Sequence, residues 1–119
     1  MSKKIVVADG KKLILKKACQ ILKEGGYEVI PVANGVEAQS QAKSENADLI
    51  LADYLMPEKS GLGLVFEMRT TGDKTPVIIM SESPMVTQET ISKSGANGLV
   101  KKPLDSQKLL ATVKQVLAS

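Results

Sequence analysis

At 119 residues the chain has the length of one ordinary domain, and with 43% hydrophobic residues it can bury a continuous core without disulfides or structural metals. The absence of His removes the commonest catalytic base and metal ligand, so metal binding falls to carboxylates, while the lone Cys19 excludes an internal disulfide and fits a reducing, cytoplasmic compartment. The net charge of +3 gathers Lys3, Lys4, Lys11, Lys12, Lys16, Lys17 and Lys23 near the start; without an aromatic platform for stacking bases, these read as solvated faces rather than a nucleic-acid site. The apolar runs are too short to span a bilayer and no apolar signal segment opens the chain.

The first predicted strand runs from Lys4 to Asp9 and is followed by a helix with Ile14, Ala18, Ile21 and Leu22 on one face, closed by Gly25 and Gly26. A second strand spans Glu28 to Val32, and the helix after Asn34 has little beyond Val36, Ala38 and Ala42 to bury. The third strand covers Asp48 to Asp53, and a helical segment separates it from the fourth, Val77 to Ser81. A fourth helix, placed after Pro84, carries the poor helix formers Thr87, Thr90 and Ser92. The fifth strand is Gly98 to Lys101. The last helix has Asp105 as N-cap, Leu104 and Leu109 spaced as a hydrophobic staple, and Leu110, Val113, Val116 and Leu117 as its buried stripe.

Runs such as "IVVA", "LILA" and "VIIM" lack the polar alternation of a half-exposed sheet, as expected of strands covered on both faces. With helices between them they predict an open, doubly wound parallel sheet, and residues 1–119 show no repeat, low-complexity tract or linker that would divide them. Ligands of such folds sit beyond the carboxyl ends of the strands, which points to Asp9, Gly10, Asp53, Ser81 and Lys102.

Those residues, with "DLILADYLMPEKSG" (Asp48 to Gly61), "TPVIIMSES" (Thr75 to Ser83) and "GANGLVKKPL" (Gly95 to Leu104), resemble the receiver domain of bacterial response regulators, the CheY-like family, over essentially the whole chain. The resemblance implies a flavodoxin-like (βα)5 fold of strand order 2-1-3-4-5, one receiver domain over residues 1–119, and a cis bond between Lys102 and Pro103 that aims the lysine inward. It also implies roles: Asp53 as phosphoacceptor, Ser81 as the hydroxyl that binds the phosphoryl group, Lys102 as the active-site cation, and Mg²⁺ held by Asp9, Asp53 and the backbone carbonyl of Leu55.

Three positions depart from the family's pattern. The acidic pair after the first strand is reduced to Asp9, because Gly10 falls where the second carboxylate belongs. A lost charged contact of about 1.5 to 3 kcal/mol weakens Mg²⁺ roughly ten- to a hundredfold. Leu99 stands where receivers usually carry a Tyr or Phe that turns inward as the switch. The segment from Ser81 to Lys102 is about one residue shorter than usual, with Pro84 stiffening the start of the fourth helix.

Around the site, Lys11 and Lys12 are read as solvated first-turn lysines, the alternative being an ammonium folded over the acids in place of the metal. Glu58 and Glu82 are read as exposed loop charges. Tyr54 is expected half-packed at the rim, with Leu55 as an apolar cover against attacking water. Met56, Met68, Met80, Met85 and Cys19 are read as packing residues.

The resulting expectation is a non-enzymatic signalling domain, capable at most of its own phosphorylation and dephosphorylation. Its implied partners are a histidine kinase or phosphotransfer protein and a downstream protein target met through the fourth helix, fifth strand and fifth helix. A pseudo-receiver, binding partners without phosphorylation, is the alternative that Gly10 and Leu99 raise. A flavin protein of the same fold is disfavoured, since neither a hydroxyl-rich phosphate loop nor ring-stacking aromatics are present.

Overall fold

The computed structural model describes residues 2–119 and alternates strand and helix five times: β1 (Lys4–Ala8), α1 (Lys12–Glu24), β2 (Glu28–Val32), α2 (Gly35–Ser44), β3 (Leu49–Asp53), α3 (Gly61–Thr70), β4 (Val77–Ser81), α4 (Gln88–Lys93), β5 (Gly98–Lys101) and α5 (Ser106–Ala118). The strands form one parallel sheet in the order β2-β1-β3-β4-β5, the flavodoxin-like arrangement that the motifs implied. Pro31, which has no N–H to give, is tolerated because β2 is an edge strand.

Side-chain alternation along the strands builds two core layers. Ile5 and Val7 of β1, Leu49 and Leu51 of β3, and Ile78 and Met80 of β4 pack with Ala18, Ile21 and Leu22 of α1 and Leu109, Val113 and Val116 of α5. The alternate residues Val6, Ala8, Ile50, Ala52, Val77 and Ile79 pack with Ala38 and Ala42 of α2, Leu64, Val65 and Met68 of α3, and Ile91 of α4. Most of these side chains are fully buried, and full burial of one aliphatic side chain contributes about 1.5 to 3 kcal/mol.

The predicted cap Asp105 is in place, and Asn34, after which the second helix was expected, caps that helix. Asn34 accepts the Glu37 N–H, and Asp105 accepts those of Gln107 and Lys108, with Leu104 and Leu109 buried on either side of the cap. Val36, expected to help bury α2, is instead exposed, and the two alanines carry that contact. The fourth helix also differs from expectation. It begins at Gln88, capped by Thr87 through the Thr90 N–H, and Pro84 lies in the preceding turn. Two strand ends are one residue shorter than expected, at Asp9 and Asp48, because each carboxylate turns to a backbone N–H: Asp9 to that of Lys11 and Asp48 to that of Lys4, both at 2.8 Å.

Between α3 and β4, Arg69 donates to the carbonyls of Asp73, Thr75 and Gly95 and to Asn97 Oδ1, which also accepts the Val77 N–H at 2.9 Å. Asp73 Oδ1 accepts the Thr75 N–H at 2.9 Å and its hydroxyl at 2.7 Å. Burial pushes this carboxyl up, but the Thr75 hydroxyl and N–H, with Arg69 beside them, outweigh burial and hold it below its ordinary value of 3.8. A carboxyl with a lowered folded pKa stabilises fully above its unfolded value and loses that contribution as pH falls through the folded one. Asp73→Ala is therefore expected to cost about 1 kcal/mol at neutral pH in urea titrations, a difference that shrinks as the pH is lowered below about 4.

Candidate functional site

Strand register delivers the charged residues to one point. β1 and β3 pair in step up to Ala8 and Ala52, so Asp9 and Asp53 stand side by side at the next position. Both continue the alternation that faces α1 and α5, and Lys102, one residue past β5, continues it from Val100. The Lys102 ammonium lies 2.9 Å from Asp9 Oδ2 and 3.0 Å from Asp53 Oδ1, with only 4% of its side chain exposed against 0% for Asp9 and 10% for Asp53. Its backbone N–H donates to the Ser81 carbonyl at 2.9 Å, and the peptide bond to Pro103 is cis, as the resemblance implied.

Burial pushes the Asp53 carboxyl up, a trend that the Lys102 hydrogen bond opposes and the neighbouring Asp9 charge reinforces. Burial would likewise push Lys102 down, yet its hydrogen bonds to Asp9 and Asp53 outweigh this and raise it. The ammonium therefore stays charged between its two acids. Among the described residues no buried side-chain oxygen lacks a partner; Asp53 Oδ2 accepts no hydrogen bond and so reaches solvent, at an opening of about 260 Å³ that Lys11, Leu55, Ser81 and Glu82 also line.

Other expected residues take different places. Ser81 ends β4 on the opposite alternation, facing the α2, α3 and α4 layer. It is buried, and its hydroxyl accepts the Ser83 N–H at 3.1 Å and hydrogen-bonds neither the Asp53 carboxylate nor the Lys102 ammonium. Leu99 lies half-buried against that same layer, away from the carboxylates. Tyr54 is half-buried as expected, whereas Leu55 is 73% exposed and so stands at the rim without covering Asp53. Met68, Met80 and Cys19 are buried packing residues; Met85 is exposed. Gly10 carries no acid and is exposed beside Pro57: a Cβ built on it would lie 3.1 Å from Pro57 Cδ, a tight contact. Gly61, in contrast, is required by close approach, since a Cβ there would come within 2.6 Å of the Asp53 carbonyl.

The sequence reading missed Lys101. Its ammonium donates to the Ser83 carbonyl at 3.1 Å and to the Val86 carbonyl, tying the β4–α4 loop to β5. The available signal was alternation: Lys101 shares the side of Leu99, the side on which that loop runs.

The donor set is compatible with Mg²⁺. Two carboxylates converge, whereas no group of three or more acidic, Cys or His side chains among the described residues could hold an ion, and Mg²⁺ commonly uses one or two carboxylates with water and phosphate oxygens. Lys102→Met leaves two buried acids without their cation and is expected to cost about 3 to 5 kcal/mol in metal-free urea titrations. Adding Asp9→Asn should recover a substantial part of that loss.

A family model described as "Response regulator receiver domain" matches residues 5–114. The response regulator MprA of Mycobacterium bovis is 29% identical over 118 residues, covering 98% of this chain and 51% of that protein, so the chain spans about half the length of the curated relatives it matches. Among solved structures, the receiver domain of the Francisella response regulator 1452 is 29% identical with a TM-score of 0.88, covering 98% of each chain. The Vibrio cholerae chemotaxis protein CheY4 is also 29% identical, with a TM-score of 0.86, covering 98% of this chain and 99% of its own. The carboxylate–lysine cluster at the sheet's carboxyl edge thus coincides with a match along nearly the whole chain, which belongs to the response regulator receiver domain family of two-component signalling.

Proposed function

We propose that residues 1–119 form one receiver domain in which Asp53 accepts a phosphoryl group from a histidine kinase or phosphotransfer protein. The observation that carries this reading is the Lys102 ammonium fixed between Asp9 and Asp53, with Asp53 Oδ2 left free at the opening. Oδ2 attacks phosphorus, the new O–P bond forms as the donor's P–N bond breaks, and the departing imidazole keeps the electron pair and takes a proton from solvent. Lys102 neutralises charge on Asp53 throughout. Asp9, Asp53 and the Leu55 carbonyl would hold Mg²⁺, which would supply further positive charge for the phosphoryl oxygens. The Ser81 hydroxyl, which accepts the Ser83 N–H, has its own hydrogen to donate to a phosphoryl oxygen and so links that group to the β4–α4 loop.

The readout surface is the face of α4, β5 and α5, met by a downstream protein target. β5 is the sheet's edge strand, and beside it a groove of about 510 Å³ runs between Leu99, Lys101, Lys108 and Thr112. Leu99 fills the switch position with an aliphatic group, which has less surface to transfer than an aromatic ring. The chemistry is that of a phosphoacceptor, limited to the domain's own phosphorylation and dephosphorylation. The pseudo-receiver is the second reading, favoured by the single observation that Pro57 packs against Gly10 where the missing acid would project.

Incubation with Mg²⁺ and phosphoramidate, followed by intact mass measurement, separates the two. A single added phosphoryl group that disappears in Asp53→Ala is the expected result; none, or one that persists, supports the pseudo-receiver. Gly10→Asp is compatible with the backbone, since Gly10 is not among the residues with positive φ, and Pro57 need yield only slightly. It is expected to tighten Mg²⁺ about tenfold, read by Tyr54 fluorescence in this Trp-free chain; unchanged affinity would show that Gly10 does not occupy the second acid's position.

A further inference from the structure

We propose that Lys11 is a second phosphate-binding cation of the Asp53 site, stored on Glu82 until a phosphoryl group arrives. The inference rests on Asp53 being the phosphoacceptor and extends that reading to a residue the family pattern does not supply. Lys11 is bound to the site at both ends: its backbone N–H donates to Asp9 Oδ1 at 2.8 Å, and its ammonium lies 3.2 Å from Glu82 Oε1 across the opening that Asp53 floors. Lys12 differs, lining a separate groove with Leu15, Cys19 and Pro31 on the outer side of α1. Of the two lysines after Gly10, Lys11 is the one at the opening.

Charge accounting shows why a second cation is needed. A phosphoryl group brings about two negative charges beside Asp9, while Lys102 supplies one positive charge already shared between two acids. Gly10 removes a metal ligand, so less of the deficit is covered by Mg²⁺. The Lys11–Glu82 pair has 61% and 67% of its side chains exposed, and an exposed pair of this kind holds its partners by about fivefold at most. A phosphoryl dianion at Oδ2 therefore competes for the ammonium on favourable terms, and the nearby Lys11 charge already acts to lower the Asp53 carboxyl.

The test compares wild type, Lys11→Met, Lys11→Arg, Glu82→Gln and the Lys11→Met/Glu82→Gln double variant. Phosphorylation by phosphoramidate at saturating Mg²⁺ is followed by intact mass, and Mg²⁺ affinity without donor by Tyr54 fluorescence. Lys11→Met should phosphorylate about tenfold more slowly yet bind Mg²⁺ several-fold more tightly, because the ammonium no longer repels the ion; a merely structural loss would weaken both. Lys11→Arg should restore the rate, and Glu82→Gln should raise it several-fold in wild type but not in the Lys11→Met background. Equal rates for wild type and Lys11→Met overturn the assignment of Lys11 alone. A wild-type protein that takes up no phosphoryl group overturns the phosphoacceptor reading and this inference with it.

Discussion

One ammonium joins the ends of the strands that matter. Lys102 extends from the edge strand β5 across the end of β4 to reach carboxylates on β3 and after β1, while its backbone N–H binds Ser81 of β4. Two buried carboxylates side by side repel each other and resist ionisation, so without this cation the carboxyl edge of the sheet would hold an uncompensated charge. The contact is possible only because β1 and β3 pair in register and the three residues share one side of the pleat; a one-residue slip in any strand would turn its residue to the other face.

The same alternation divides the site. Asp9, Asp53 and Lys102 lie toward α1 and α5, where the charge is balanced. Ser81, Leu99 and Lys101 lie toward α2, α3 and α4, where the β4–α4 loop is held by Ser81 and Lys101. Ser81 is the junction, its carbonyl bound to the Lys102 backbone and its hydroxyl to Ser83. In a receiver read as phosphorylated on Asp53, the path from chemistry to surface therefore passes through one hydroxyl that accepts from Ser83 and can still donate, with the aliphatic Leu99 on the same layer. Gly10 adds no carboxylate to the charge side, and Pro57 lies against it.

Much of this was legible because it follows from short-range rules. Buried strands are continuous apolar runs, and the caps at Asn34 and Asp105 satisfy helix N–H groups a few residues away, so both could be read locally. The start of α4 was misplaced because Pro84 is a strong local signal, whereas the actual cap is Thr87, whose value depends on Ile91 reaching the core one turn later. Val36 misled for the opposite reason, an apolar residue that the packing of Ala38 and Ala42 leaves outside. Arg69 was invisible, since its acceptors come from the α3–β4 turn and from the segment that leads into β5.

The sequence alone determined the alternating strands and helices, the doubly wound sheet, the resemblance to receivers and the cluster of Asp9, Asp53, Ser81 and Lys102 at the strand ends, because periodicity, caps and motif spacing are properties of neighbouring residues. Only the tertiary structure decided that Lys102 takes both acids while the Ser81 hydroxyl takes neither, that Lys11 crosses to Glu82, that Lys101 holds the β4–α4 loop and that Pro57 lies against Gly10. Those are contacts between residues far apart in the chain, and side-chain partners at such separations are set by strand register and loop path, which no local pattern encodes.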